Sequence, residues 1–323
     1  LMRSSAASDV YKRQHIGKPA KILVKPGDRV KTGTLLAEAD GIISSNIHSS
    51  VTGEVIKIDA SENEFGYMEP MITIKTEAVD EYETGIDTTE DINKDITLTN
   101  EEIAAGIRRA GIVGLGGAGF PTPIKTTVPE NKKIEYFIIN GIECEPFLTA
   151  DDRLMIEKAE QIIIGAKIIN KLLGIQNAVI AIDENKPQAI EILSKMTKTY
   201  VGVNVQVLKT KYPQGGEKQL IKAITNREVP SGKLPADVGC LVHNVGTVYA
   251  VYEAVAKNKP LIERVVTLSG DNCPAAGNYR VRIGTPASHL IAKTGLNLED
   301  IGEIIFGGPM MGTCLLYTSD AAD

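Results

Sequence analysis

The four cysteines, Cys144, Cys240, Cys273 and Cys314, include no C-x-x-C pair, so the chain carries no complete iron–sulfur or zinc motif of that spacing. Scattered thiols in a chain of 323 residues suit a reducing compartment. Cys240 and Cys273 read as small buried apolar residues. No apolar run approaches the roughly 20 residues that a membrane-spanning helix needs. Any membrane association therefore has to come through partner proteins. Positive charge is not in excess either. The formal net charge is -6, which argues against nucleic acid as the main partner. Hydrophobic residues at 43% and charged residues at 24% are ordinary for globular cores, and the length allows two or three domains.

What is present is a glycine-rich stretch, Gly111 to Lys125, reading Gly-Ile-Val-Gly-Leu-Gly-Gly-Ala-Gly-Phe-Pro-Thr-Pro-Ile-Lys. Glycine lacks a Cβ, so such a run can bring several backbone N–H groups against an anion. Thr122 before Pro123 has the form of a helix start, a capping hydroxyl followed by proline at the first helical position. The expected object is a phosphate-cradling loop that feeds a helix N-terminus, with Lys125 in the first turn. Gly114, Gly116 and Gly119 also satisfy G-x-G-x-x-G. The dinucleotide version of that motif needs a strand in front. Here Glu101 to Ala110 reads as a helix, with Ile103, Ala104, Ile107 and Ala110 on one face.

In chain order, residues 15–77 read as a small all-β unit. Ile22, Val24 and Val30 alternate with polar residues, Gly27-Asp28 and Asp40-Gly41 supply turns, and Val51 to Ile58 follows as a strand. His48 falls in this unit as a lone histidine, more often packed than a ligand. Residues 78–100 are acidic and read as a solvated linker ending in the capping sequence Thr99-Asn100-Glu101-Glu102. Residues 101–258 alternate helix and strand: Tyr136–Ile139, a single long helix over Ala150–Leu173 closed by Gly174, then strand Ala178–Ile182, helix Pro187–Met196, strand Val203–Leu208, a helix through Ile224 and a helix over Val248–Ala256. That alternation predicts an α/β domain with a parallel sheet and helices on both faces. Ligands of such sheets bind at the carboxyl ends of the strands, so Asn140 and Tyr212 should face the glycine loop across one crevice. Residues 259–313 read as a small α+β module. Residues 1–14 and 314–323 show neither helix nor strand periodicity and are expected to be non-native tails, which makes the chain an interior piece of a longer protein.

Four loops carry a resemblance: Gly114–Lys125, Asn140-Gly-Ile-Glu-Cys-Glu-Pro, Tyr212-Pro-Gln-Gly-Gly-Glu and His243-Asn-Val-Gly-Thr. With Leu-Thr-Ala-Asp-Asp-Arg and Gly-Gly-Pro-Met-Met-Gly, they resemble the flavin- and NADH-binding subunit of respiratory complex I. They resemble still more closely the RnfC subunit of the Rnf electron-transport complex, over nearly all of residues 15–312. The leading β unit resembles the barrel-sandwich hybrid of lipoyl and biotinyl domains, without the modified lysine at Asp40-Gly41, which favours docking over a swinging arm. The module at 259–313 is expected to be β-grasp-like, of the SLBB type.

The resemblance implies non-covalent FMN, NADH as substrate and a site without a catalytic acid or base. Gly114, Gly116, Gly117, Gly119 and Lys125 fall at the flavin, and Asn140 at its ribityl chain or ring edge. Glu143, Tyr212, Gly215, Glu217, Asn244 and Thr247 complete the cofactor set, and Phe120 and Glu145 fall at the dinucleotide. Departures concern the dinucleotide side: Ile142 stands in place of an aspartate, Gly216 and Gly246 in place of glutamates, and Val128 in place of a second phenylalanine. FMN takes a hydride as two electrons and releases them singly. The resemblance puts the one-electron acceptors, [4Fe–4S] clusters, beyond Gly312. It implies a peripheral subunit on the cytoplasmic face of a bacterial inner membrane, moving electrons between NADH and ferredoxin with other subunits of an ion-translocating complex. Two rivals stay open: a soluble cobalamin reductase of the same architecture, and a non-catalytic docking module.

Overall fold

The computed structural model describes residues 8–11, 15–62, 68–129, 131–271, 273–296 and 301–316. Most of both expected tails, residues 1–7, 12–14 and 317–323, lies outside them. In the leading β unit, β1 (Ser8–Tyr11), β3 (Arg29–Val30), β6 (Gly53–Glu62) and β7 (Met68–Thr76) form one sheet in the order β1-β7-β6-β3. A second sheet holds β2 (Lys21–Ile22), β4 (Leu35–Glu38) and β5 (Ile47–His48). Both close on one core that includes Val30, Leu36, Ile47, Val55, Ile72 and Ile74. The alternation of Ile22, Val24 and Val30 predicts an all-β unit, and the resemblance to a barrel-sandwich hybrid implies its two sheets. Ser8–Tyr11 pairs antiparallel with Met71–Ile74, so the expectation of no strand before residue 15 does not hold there. An exposed sheet edge pairs through backbone groups and needs little alternation in the added strand.

The acidic segment 78–100 has little regular structure, yet it is not the solvated tether its composition suggested. Asp80 accepts from Arg282 at 3.0 Å, Glu81 from Arg29 at 2.8 Å, and Asp87 from Lys257 at 2.7 Å. Ile92, Ile96 and Leu98 pack against the main core. The acids are partners for cations on three separate elements, which composition alone does not reveal.

Helix α1 (Asn100–Arg109) begins at the expected capping box. The Thr99 side chain accepts from the Glu102 N–H at 3.3 Å, and the Thr99 N–H donates to the Glu102 carboxylate at 2.7 Å. A cap of this kind contributes about 1 kcal/mol. Ile103 and Ile107 then point into the core.

The central sheet contains β8 (Tyr136–Gly141), β9 (Ala178–Asp183), β10 (Val203–Leu208) and β11 (Cys240–Asn244), all parallel, in the order β10-β9-β8-β11. Alternate side chains feed two cores. Phe137, Ile139, Ile180, Ile182 and Leu241 belong to the larger one. Ile138, Ala181 and Val242 belong to the smaller one on the other face. Helices α4 (Ala159–Leu173), α5 (Pro187–Met196) and α7 (Val245–Ala256) supply the large core, and α6 (Glu217–Thr225) covers the opposite face through Leu220 and Ile221. Strand β11 and the first turn of α7 were not anticipated. The short run Cys-Leu-Val-His is too brief to separate from a loop by periodicity.

The long helix expected over Ala150–Leu173 is broken. Helix α3 (Ala150–Glu157) ends at Lys158, whose φ of -123° and ψ of 28° are not helical, and α4 starts at Ala159. The i to i−4 hydrogen bonds continue on either side, from Lys158 N–H to Leu154 and from Ile162 N–H to Lys158, so the break is a kink. Gly174 ends α4 in the left-handed region, as expected.

Beyond residue 258, β12 (Glu263–Leu268) pairs antiparallel with β13 (Gly277–Arg282). Helix α8 (Ala287–Thr294) follows, and β14 (Glu303–Phe306) pairs with β15 (Thr313–Leu316). The described residues form two separate ladders, the second of which takes in residues assigned to the final tail. Cys240 is buried, but Cys273 is only half-buried, which corrects that reading.

Candidate functional site

The strand order places β8 and β11 side by side although two strands and their helices separate them in sequence. Chain direction of the crossovers reverses there, and an open α/β sheet has its crevice at the carboxyl ends of such a pair. Asn140 on β8 and Asn244 on β11 are paired in register at that end. Asn244 caps α7: its Oδ1 accepts from the Gly246 N–H at 2.9 Å, and its Nδ2 donates to Asp151 at 2.6 Å.

The glycine loop lies against this end. Its neck is closed by a bridge between Val113 and Pro121, and the Gly114 N–H donates to the Phe120 carbonyl at 2.9 Å. The Leu115 N–H donates to the buried Thr247 hydroxyl at 2.9 Å, which ties the loop to α7. A Cβ on Gly116 would come within 3.0 Å of the Asn244 Cβ, so glycine is what lets the loop approach. Gly117, at φ +130°, faces open space. The carbonyl of Gly119 accepts from the Ile16 N–H at 3.3 Å, which joins the loop to the β unit as well.

The anticipated helix start after the loop needs correction. Helix α2 (Thr122–Thr126) has five residues, its cap is Pro121, and no side chain caps it. The Thr122 hydroxyl is buried with no hydrogen-bond partner among the described residues. Lys125 does reach across the crevice, where it pairs with Glu217, the first residue of α6, at 2.7 Å. Lys125 therefore carries a compensating carboxylate in this structure.

The other expected residues divide into two groups. Asn140 is fixed at both ends of its amide: Nδ2 donates to the Gly215 carbonyl at 2.9 Å, and Oδ1 accepts from the Ile142 N–H at 3.1 Å. This locks the Tyr212 loop onto the acid loop, and Gly215 is needed there because a Cβ would lie 2.9 Å from the Ile142 carbonyl. Tyr212 itself is exposed. Glu143 faces inward. Its carboxylate accepts from the Asp151 and Asp152 N–H groups at 3.0 and 3.3 Å and stands 3.5 Å from Lys186, so it caps α3. Glu145 accepts from the Met310 and Met311 N–H groups at 2.9 and 3.3 Å, which holds the Gly-Gly-Pro-Met-Met-Gly turn over the acid loop. Phe120 is half-buried at the loop neck.

Sequence reasoning missed Asp151, His243 and Arg264. Burial pushes the Asp151 carboxyl up to about 7, and Glu143 adds to the rise. Burial holds His243 neutral down to about 3, with the Lys125 charge adding to it. Its ring meets Phe137 edge-on with centroids 6.0 Å apart. Arg264 on β12 donates to the Leu115 carbonyl at 3.4 Å. Asp151 was present in Leu-Thr-Ala-Asp-Asp-Arg, but only its place opposite Asn244 gives it meaning. Nothing local to Arg264 connects it with a loop 149 residues away.

The crevice thus presents glycine backbone, two oriented asparagines, and cations at both sides. Comparison with known proteins agrees with that geometry. Residues 107–253 match the Nuo51 FMN-binding domain, and residues 5–79 match the RnfC barrel sandwich hybrid domain. The C subunit of the proton-translocating ferredoxin:NAD(+) oxidoreductase complex of Clostridium ljungdahlii is 46% identical over 93% of this chain and 65% of its own length. The C subunit of the Na(+)-translocating ferredoxin:NAD(+) oxidoreductase complex of Acetobacterium woodii is 40% identical over 94% of this chain and 68% of its own. The chain therefore spans about two thirds of the length of these relatives. An air-oxidized NAD+-reducing [NiFe]-hydrogenase structure shares the fold over 68% of this chain and 43% of its own, at TM-score 0.59 and 22% identity. On these grounds the chain belongs to the RnfC family, the C subunits of ion-translocating ferredoxin:NAD+ oxidoreductase complexes.

Proposed function

We propose that this chain is the flavin- and NADH-binding part of a membrane-associated, ion-translocating ferredoxin:NAD+ oxidoreductase, and that FMN binds in the crevice between the glycine loop and the ends of β8 and β11. The observation that carries the reading is the glycine loop tied by Thr247 to α7, with Gly116 packed on Asn244 and Gly117 facing open space. Residues of this kind fit a phosphorylated flavin. Glycine backbone approaches an anion without steric cost, and Lys125 supplies a charge that can be shared with a phosphate. The Thr122 hydroxyl and His243 Nε2, without partners among the described residues, are buried polar atoms of the same region.

Each residue then has a task. Gly114, Gly116, Gly117 and Gly119 shape the cradle. Lys125, paired with Glu217 here, supplies the positive charge that balances the phosphate. Asn140 and Asn244 present fixed amide groups, the first held by Gly215 and the second by Asp151. Glu143 keeps α3 in place beneath them. Phe120 and Glu145 stand on the dinucleotide side, and Tyr212 closes the rim. When bound, FMN supplies the exchange between two-electron and one-electron transfer.

Iron–sulfur clusters belong to this proposal as acceptors in the part of the relatives that the chain does not span. No helix among the described residues is long and apolar enough to cross a membrane. Attachment at the cytoplasmic face of the membrane, through other subunits, follows as part of the proposal. The test is anaerobic. The purified chain should take up one equivalent of FMN, and NADH should then bleach the flavin absorbance. A chain that binds no FMN contradicts the proposal.

A further inference from the structure

We propose that Arg264, carried on β12 outside the α/β domain, is an anion-binding residue of the glycine loop, and that the cavity it lines takes a phosphate group of a bound nucleotide. The assignment rests on the reading of this region as a nucleotide site.

The cavity lies on the side of the glycine loop that faces the β unit. Its volume is about 200 Å³, and its walls include Ser45, Asn46, Gly117, Gly119, Leu261 and Arg264. That is far more than the roughly 10–15 Å³ that seats one water. Three segments distant in sequence meet there, so the space exists only in the folded whole chain. One of its walls is the stretch of loop around Gly117 that faces open space.

The charges of the region single out Arg264. Lys125 is compensated by Glu217 at 2.7 Å. Arg282, on the neighbouring strand, donates to Asp80 at 3.0 Å and to the Tyr82 hydroxyl at 2.6 Å. Arg264 has no ion pair within 4.0 Å among the described residues, and its hydrogen bond to the Leu115 carbonyl is long at 3.4 Å. A guanidinium keeps its charge and offers five donors in a planar fork, the geometry that suits phosphate. Arg264 is solvent-exposed, and the charge of Asp151 acts on it, so the acid felt at Arg264 is the one that also holds Asn244. Asp151, pushed up to about 7, is partly protonated at neutral pH and repels an incoming anion less than an ordinary aspartate would.

The phosphate could be the monoester of FMN or the pyrophosphate of the dinucleotide. FMN and ADP are the two probes. Each is titrated calorimetrically into the wild-type chain, Arg264→Gln and Arg264→Lys. Loss of one charge-assisted contact should weaken binding by about ten- to hundredfold in Arg264→Gln. A loss confined to FMN assigns the cavity to the flavin phosphate, and a loss confined to ADP assigns it to the pyrophosphate. Arg264→Lys should keep part of the affinity. Wild type that binds both probes, with Arg264→Gln equal to it for both, overturns this assignment and leaves the proposed function standing. Wild type that binds neither overturns both. Should Arg264→Gln fail to fold, Arg264→Lys equal to wild type for both probes overturns the assignment.

Discussion

At the C-terminal end of α7 every cation has its acid. Lys257 pairs with Asp87 at 2.7 Å, and Lys259 lies between Glu253 at 2.8 Å and Glu263 at 2.5 Å. Burial alone would lower the Lys259 ammonium, but the two glutamates outweigh it and hold its pKa above the ordinary value. At the N-terminal end of the same helix the balance is left open. Among the described residues Asp151 is pushed up to about 7, Arg264 has one long hydrogen bond, and His243 Nε2 has no partner. One end is closed by its own side chains and anchors the acidic segment and β12. In the proposed function the other end holds its charges and amides for the flavin. The twelve residues of α7 thus separate a polar cluster closed by its own side chains from one that the proposed function assigns to binding.

The largest effect expected is at the closed end. Lys259→Ala leaves Glu253 and Glu263 facing each other with little exposure, and breaking a buried pair of this kind costs about 3–5 kcal/mol. Denaturant unfolding should show that loss, while FMN affinity of the folded fraction stays at the wild-type value. A fall in affinity as large as the fall in stability would break the distinction between the two ends. Next comes Asn244→Ala at the open end. Loss of the α7 cap costs about 0.5–2 kcal/mol, and the same change should weaken FMN binding if the flavin lies at the end of β11 as proposed. A stability loss with unchanged FMN affinity would leave Asn244 a cap only.

The open end also predicts a pH dependence. Asp151 is raised from 3.8 to about 7 in the folded chain, so between those values the folded state holds more protons than the unfolded state. Stability from this group therefore falls as pH rises through that window. His48 and His243, lowered by burial to about 4 and about 3, tilt the other way, losing stability as pH falls below 6.5. The informative quantity is the difference between wild type and Asp151→Asn, measured by denaturant unfolding at pH 5 and pH 8. The variant should gain more relative stability at pH 8, with Asn244 still bonded to the new amide oxygen. Equal differences at both pH values would contradict a raised carboxyl.

The smallest effect concerns the turn over the acid loop. Glu145→Gln weakens the acceptor for the Met310 and Met311 N–H groups, and Gly308→Ala would put a Cβ 1.8 Å from the Glu145 carboxylate. Both variants should loosen this turn in amide hydrogen exchange, with FMN affinity kept and apparent NADH affinity changed. Unchanged flavin reduction over a range of NADH concentrations would leave Glu145 a tie for the turn alone.

Much of this was legible in sequence where the signal is local. Helix α1 with its Thr99 box, Pro187–Met196, Val203–Leu208 and the stop at Gly174 follow from caps, proline, alternation and glycine. The kink at Lys158 was not legible, because apolar spacing runs through it unbroken. The glycine loop announced itself by composition, and the family likeness gathered Asn140, Glu217, Asn244 and Thr247 around it. Partners across the fold stayed hidden. That Lys125 is neutralised by Glu217, that Glu143 caps α3, and that Asp80 and Asp87 serve Arg282 and Lys257 depend on distances no spacing rule contains. Arg264 was the hardest case, an ordinary arginine at the start of an ordinary strand.

The open end of α7 is tested most directly by titrating FMN into the wild-type chain and Lys125→Ala, followed by flavin fluorescence. Loss of a charge-assisted phosphate contact, worth about 1.5–3 kcal/mol, should raise the dissociation constant by about one to two decades. Equal affinity in the two proteins, each shown to be folded, would contradict the placement of the flavin phosphate at Lys125 and with it the account of this end as the binding end.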